Sequence, residues 1–124
     1  MRPLKSIELK LLERLTNGQF DIPQMVQELN DGKIGSISFD IENSQSRKRQ
    51  IISAEYIDKD GVLVDIELTC DNNDKLFELD FCKVDFSHLI SFPTYESLKL
   101  KTPNNENTKN KRSNRTKNFN QLPN

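Results

Sequence analysis

Nineteen of the side chains in this chain that could act chemically are carboxylates, and five of them share a pattern. Glu55, Asp65, Glu67, Glu78 and Asp80 fall at alternate positions of three successive segments in which apolar and polar residues alternate. A period of two places such residues on one face of a β-sheet. Carboxylates gathered there can attract a cationic surface, or hold a metal ion if enough oxygens converge. Calcium asks for six or more oxygens, and an open sheet face offers few, so no metal is expected. The other candidates are weaker. His88 is the only histidine, and Cys82, the nearest thiol in sequence, lies six residues before it on a strand. Spacing of that kind does not bring a nucleophile and a base together, so His88 reads as structural. Asp58-Lys59-Asp60-Gly61 resembles the start of a calcium loop, yet Gly61 arrives at the fourth place instead of the sixth, which makes the segment a turn. The four glycines, Gly18, Gly32, Gly35 and Gly61, form no phosphate-cradling loop. No catalytic residue and no cofactor are expected.

Charge is unevenly spread. Residues 1–100 carry 12 Lys and Arg against 18 Asp and Glu, whereas residues 101–124 carry 6 against 1, so a body of −6 is followed by a tail of +5. Apolar residues make up only 34% of the 124 residues and charged ones 30%, a balance that assigns part of the chain to an unfolded segment. That segment is the C-terminus: residues 99–124 read as a disordered, basic, Asn- and Lys-rich tail after a compact domain over 1–98. Its cluster of Lys109, Lys111, Arg112, Arg115 and Lys117 could contact the phosphates of a nucleic acid. No run of apolar residues approaches the ~20 needed to cross a bilayer, and the first residues do not form a signal peptide, so a soluble, cytoplasmic protein with no membrane contact is expected. Cys70 and Cys82 amount to neither a disulfide framework nor a zinc spacing and are expected as buried free thiols.

The elements that must position the carboxylates follow from periodicity. Ile7, Leu11, Leu12 and Leu15 keep helical spacing over Ser6 to Thr16, with Ser6 as a cap and Asn17-Gly18 as a stop. Residues 22–29 fit both a short helix entered at Pro23 and a strand leading into Asn30-Asp31-Gly32. From residue 34 the period is two, giving strands at about 34–41, 49–58, 62–70 and 76–84. Joined in order they make an antiparallel meander of four or five strands, covered on its apolar face by the helix: an α+β domain.

Register follows from keeping apolar residues on one face. A loop over Lys59-Asp60-Gly61 pairs Tyr56 with Val64, Ala54 with Ile66 and Ile52 with Leu68. An even loop centred on Asn72-Asn73 pairs Leu68 with Phe77, Ile66 with Leu79 and Val64 with Phe81. Closing the first hairpin at Asn43 to Lys48 sets Ile37 against Ala54 and Phe39 against Ile52. On the opposite face, Ser36, Glu55, Asp65 and Asp80 form one row and Ser38, Ser53, Glu67 and Glu78 the next. Directly opposed like charges cost ~0.2–1 kcal/mol each, with Lys83, Lys75 or Arg49 as nearby relief.

Four stretches share their residues with a known family. Met1-Arg2-Pro3-Leu4, Asn30 to Ile37, Asp58-Lys59-Asp60-Gly61-Val62 and Leu76-Phe77-Glu78-Leu79-Asp80-Phe81-Cys82-Lys83-Val84-Asp85-Phe86-Ser87-His88-Leu89 together resemble a small uncharacterised bacterial domain family over about residues 1–92. In that family the first turn reads Asp-Gly-Gly-Met-Gly-Ser-Leu, the last strand carries a tryptophan, and a proline follows the serine. This chain departs from it at Lys33, Ile34, Cys82 and His88. The resemblance implies a compact domain without an assigned activity.

The expected function is therefore a non-enzymatic protein-binding module that engages a basic, toxin-like or nuclease-like partner through Glu55, Asp65, Glu67, Glu78 and Asp80, as an immunity-type or antagonist protein would. The alternative is a nucleic-acid-associated accessory protein acting through the tail. A third arrangement is internal, with the basic tail folded back on the acidic body until a stronger partner displaces it.

Overall fold

Helix α1, Ser6–Thr16, occupies the expected segment in the computed structural model, which describes residues 1–29 and 35–103. Its cap is Lys5 instead of Ser6: the Lys5 N–H donates to Glu8 Oε1 at 2.8 Å, and the Glu8 carboxylate also suits the positive end of the helix. At the other end Asn17 takes a left-handed φ of 50° and its N–H donates to the Glu13 carbonyl at 3.1 Å, which stops the helix before Gly18. Leu11, Leu12 and Leu15 are buried but Ile7 is half exposed, so the covered stripe is narrower than the spacing predicts.

The strands are β1 (Arg2–Pro3), β2 (Met25–Glu28), β3 (Ile37–Ser38), β4 (Arg47–Ile57), β5 (Leu63–Asp71), β6 (Leu76–Lys83) and β7 (Lys99–Lys101). They form one sheet in the order β1-β2-β3-β6-β5-β4-β7 with every neighbouring pair antiparallel. The described residues thus hold seven strands, not four or five, and one helix. Within the open segment at 22–29, Met25–Glu28 form a strand and no helix forms. The tail boundary also moves: residues 99–101 form an edge strand and belong to the fold.

A simple meander is not what forms. β4, β5 and β6 follow one another, but β3 lies beside β6, with Ile37 opposite Leu79 and Ser38 opposite Glu78. The order β3-β6-β5-β4 is a Greek key. Apolar matching could not separate the two topologies, because Ile37 meets a buried apolar residue beside β6 as it would have met one beside β4. The connection decides. Asp40 folds residues 40–45 into a turn, accepting from the N–H groups of Ser44 and Gln45 at 3.2 and 2.9 Å, and Asn43 there has a φ of 54°. That turn carries the chain away from a tight hairpin and across to the far side of the sheet.

Register holds on one hairpin and shifts on the other. Between β4 and β5 the expected pairs of Ile52 with Leu68, Ala54 with Ile66 and Tyr56 with Val64 all form. Between β5 and β6, Leu68 opposes Leu79, Ile66 opposes Phe81 and Val64 opposes Lys83, two residues from expectation. Two devices each add one residue. Asp74 takes a φ of 59°, making Asn72-Asn73-Asp74 a three-residue loop closed by the Asp71 N–H on the Lys75 carbonyl, and a bulge follows between the Cys70–Leu76 and Thr69–Glu78 pairs. The two shifts cancel in parity, so the faces are those expected while the partners change.

The apolar face holds Leu11, Leu12 and Leu15 of α1 in one buried cluster with Ile37, Ala54, Tyr56, Val64, Ile66, Leu68, Leu79 and Phe81. Lys83, expected as relief for the opposite face, points to this side and is buried with Asp58. The Lys83 ammonium donates to Asp58 Oδ2 at 3.0 Å, to Asp60 Oδ2 at 2.6 Å and to the His88 carbonyl at 3.0 Å. Asp58 accepts in addition from the N–H groups of Lys59, Ile90 and Ser91 at 2.8, 2.8 and 3.1 Å, and from the Ser91 hydroxyl at 2.8 Å. One node therefore ties the β4–β5 turn, the end of β6 and residues 88–91 together.

Burial by itself would push the Asp58 carboxyl up, but the Ile90 N–H, the Lys83 ammonium and the other donors outweigh it and hold the group well below the usual carboxylate range. The stability it contributes is therefore complete above its unfolded value of ~4 and is lost as pH falls through the lower folded value. Asp58→Asn should reduce the unfolding free energy by about 3–5 kcal/mol, because it leaves Lys83 buried against one carboxylate fewer. Urea midpoints read this: the wild-type chain loses stability between pH 5 and pH 3 more steeply than the variant, and equal slopes would contradict the assignment.

Candidate interaction face

The outer face of the sheet is set row by row by these registers. Ser53, Glu67 and Asp80 stand side by side, extended by Ser36, whose hydroxyl donates to Asp80 Oδ1 at 2.8 Å and accepts from the Phe81 N–H at 2.9 Å. On one side of that row run Gln50, Thr69, Glu78 and Ser38; on the other run Glu55, Asp65 and Cys82, with Lys99 opposite Glu55. All five expected carboxylates share the face. Glu55 opposes Asp65 as expected. The other pairings are corrected by the two-residue shift: Glu67 opposes Asp80, Asp65 opposes Cys82 and Glu78 opposes Thr69. Cys82 is accordingly only partly buried on this face, which corrects the expectation of two buried thiols, while Cys70 is buried on the other.

The cations on these carboxylates are Lys101 and Arg47, not the expected Lys83, Lys75 or Arg49. The Lys101 ammonium, delivered by β7, lies 3.1 Å from Asp65 Oδ1 and 3.4 Å from Glu55 Oε1. Arg47 reaches Glu67 Oε2 at 3.0 Å, and the Gln50 side-chain amide donates to the same oxygen. Partial burial pushes the Lys101 ammonium down, but Asp65 and Glu55 outweigh it, so its affinity for the proton is raised. Lys101 reads in sequence as part of the tail. Its only signal as a strand residue is the short alternation Lys99-Leu100-Lys101. The basic cluster Lys109, Lys111, Arg112, Arg115 and Lys117 lies outside the described residues.

Beyond the carboxylates the same face turns apolar. Ile57 opposes Leu63, and the Val84 N–H donates to the Leu63 carbonyl at 3.0 Å, so these three line the end of the sheet, with Ile57 62% and Val84 49% exposed. Two residues on, Phe86 is 82% exposed in a turn where its own φ is 63°. His88 is exposed, and its carbonyl serves Lys83. No catalytic pair with Cys82 is formed by the described contacts.

A concavity of about 250 Å³ lies at the N-terminus of α1, where Arg2 holds Glu8 by a two-pronged contact at 2.7 and 3.0 Å and Glu28 at 2.8 Å. There burial would raise the Glu8 carboxyl, but Arg2 and the Lys5 N–H overcome it and hold it below its ordinary value. Among the described residues no group of three or more His, Cys, Asp or Glu side chains could hold a metal ion, and no helix is long and apolar enough to cross a membrane.

Fold and face together define a class: a helix-backed Greek-key sheet that presents an acidic surface with an apolar end. Residues 1–93 match the family model described as Domain of unknown function (DUF6984), and the chain belongs to that family. Neither a curated protein nor a solved structure matches the chain. The family span ends before β7, so Lys101 is supplied from outside it.

Because Lys101 is more than a third exposed, its pairing is screened by solvent and salt. Lys101→Ala should cost about 0.2–1 kcal/mol at low ionic strength. Urea melts in 1 M NaCl should shrink that difference toward zero, whereas a difference unchanged by salt would mean that packing, not charge, holds β7.

Proposed function

We propose that this chain is a non-enzymatic protein-binding module whose outer sheet face engages a basic partner surface, in the manner of an immunity-type or antagonist protein. The single observation that carries the reading is the Lys101 ammonium seated between Asp65 and Glu55 at 3.1 and 3.4 Å. It supports the face as a receptor for lysine, because a primary ammonium is accommodated there by two carboxylates on adjacent strands. Glu67 and Asp80, opposed in the next row, extend the negative field in the direction away from the apolar end. Long-range attraction of this kind speeds encounter, and the short contacts select among partners. The apolar end, Ile57, Leu63 and Val84, supplies apolar area whose burial adds to what charge alone gives and helps exclude water from the contact.

The test is recovery of partners from the cells that make the protein, by wild-type chain and by an Asp65→Lys/Glu67→Lys variant of the same fold. A basic protein that wild type retains at low salt and releases at high salt, and that the variant loses at least tenfold, is the expected result. A partner held equally by both proteins would overturn the reading. So would salt-sensitive binding of DNA or RNA that vanishes when the chain is cut after residue 103, which would move the function to the tail.

A further inference from the structure

We infer that the outer edge of β4 is a docking site for an extended basic strand of the partner, and that β7 is the exchangeable occupant of that site in the resting chain. The inference rests on the proposed reading of the face and adds to it the backbone geometry of recognition and the partner's sequence pattern.

Three features of β7 mark it as replaceable. It is three residues long and all three are exposed, while β4 has eleven residues, of which only Ser53, Ala54 and Glu55 pair on that side among the described residues. Its pairing falls outside the family span, and no buried member of the core cluster belongs to it. Its side chains also read as a ligand would: Lys99 opposes Glu55, Leu100 opposes Ala54, and Lys101 opposes Ser53 while reaching Glu55 and Asp65. An exposed sheet edge accepts any extended backbone, and alternate side chains then supply the selection.

The register says what a better occupant looks like. Two residues before Lys99 the chain is already in the single 3-10 turn Tyr95–Ser97, so the position that would stand opposite Ile57 is not filled by a strand residue. Ile57 is left 62% exposed at the end of the row it forms with Leu63 and Val84. A partner strand that stays extended and carries an apolar residue there would lengthen that row by one. The pattern recognised is therefore apolar-x-Lys-x-Lys, with Arg admissible for Lys. A tethered β7 competes at an effective concentration in the millimolar range, which sets the affinity the partner must exceed.

The experiment uses the full chain carrying Lys99→Glu and Lys101→Glu, which repels β7 from Glu55 and Asp65, and a labelled peptide of residues 97–103 carrying Ser97→Ile. Three results are expected. The charge-reversed chain exchanges those amides among residues 53–55 that face β7 faster than wild type, and the peptide restores their protection. The peptide binds the charge-reversed chain at least tenfold tighter than wild type. The same peptide with Ser97 retained binds several-fold weaker than the Ile version. Absence of peptide binding to the charge-reversed chain overturns strand docking, and so does equal binding to both chains. Peptide binding that is lost on Asp65→Lys but leaves the β4 amides unprotected also overturns it, while leaving the acidic-face reading standing. If the peptide binds and protects β4 with no effect of Asp65→Lys, the edge is a docking site but the reading of the face fails.

Discussion

The buried pairing of Asp58 with Lys83 is the constraint on which the rest of this fold depends. Removing two charges from water is costly, and attraction between them repays the loss only when the remaining hydrogen-bonding capacity is also met. Here it is met from three directions. The Lys83 ammonium has three oxygen acceptors, and the Asp58 carboxylate has Lys83 and four further donors, drawn from a turn, a strand end and the segment at 88–91. No single element can satisfy the pair, so the pair specifies how the elements meet. It fixes the β4–β5 turn against the end of β6 and seats Ile90 and Ser91. From there the Tyr56 hydroxyl donates to the Ser91 carbonyl at 2.9 Å, and the Phe92 ring packs at a tilt of 48° against Phe81 with ring centres 5.3 Å apart.

What the node secures on the core side, the ladders carry to the outer side. Once Val64 opposes Lys83, every outer residue of β5 and β6 has its neighbour, and Glu67 must stand against Asp80. The cost is modest. An opposed pair of like charges is worth ~0.2–1 kcal/mol, against a typical total stability of about 5–15 kcal/mol, so a sheet anchored from beneath can carry an acidic surface without special compensation. Among the described residues, part of the compensation is peripheral, with Arg47 at the start of β4 and Lys101 on β7, while Gln50 and the buried Ser36 donate from within the sheet.

Much of this was legible in the residues, and the parts that were not share a cause. Leu11, Leu12 and Leu15 announce α1 by spacing, and Asp60-Gly61 announces the turn whose φ of 82° at Gly61 sets the β4–β5 register. Period-two alternation then assigns each of the five carboxylates to its face, because parity survives any error of two residues. Partner identity does not survive it. The left-handed Asp74 and the bulge beyond it each move the β5–β6 register by one, and nothing in Asn72-Asn73-Asp74 distinguishes a three-residue loop from an even one. Topology was hidden for the same reason. Alternation tells Ile37 which way to face but not which strand to lie beside, and that choice was made by the Asp40 turn and by Ser36, which places its hydroxyl where the Phe81 N–H and the Asp80 carboxylate both use it. Lys83 misled by its charge. Lysine at a strand end reads as solvent-facing, and only its partners, one of them 58 in a turn dismissed as a turn, account for its burial.

The division of charge along the chain acquires a structural meaning at β7. A body of −6 and a tail of +5 would, as freely jointed segments, attract one another only diffusely and be screened beyond a Debye length of ~8 Å. β7 converts that attraction into a contact with a register. Lys101, the first residue of the basic stretch, is pinned beside Glu55 and Asp65 by backbone pairing of its neighbours, so the transition from negative body to positive tail takes place on the acidic face itself. The pairing is short and solvated, which makes it weak, and its weakness is consistent with its place outside the family span: the node at Asp58 and the Greek key form without it, and the last residues packed against the core, Tyr95 and Leu98, precede it. A fold that is finished before its last strand can release that strand at little cost to its core.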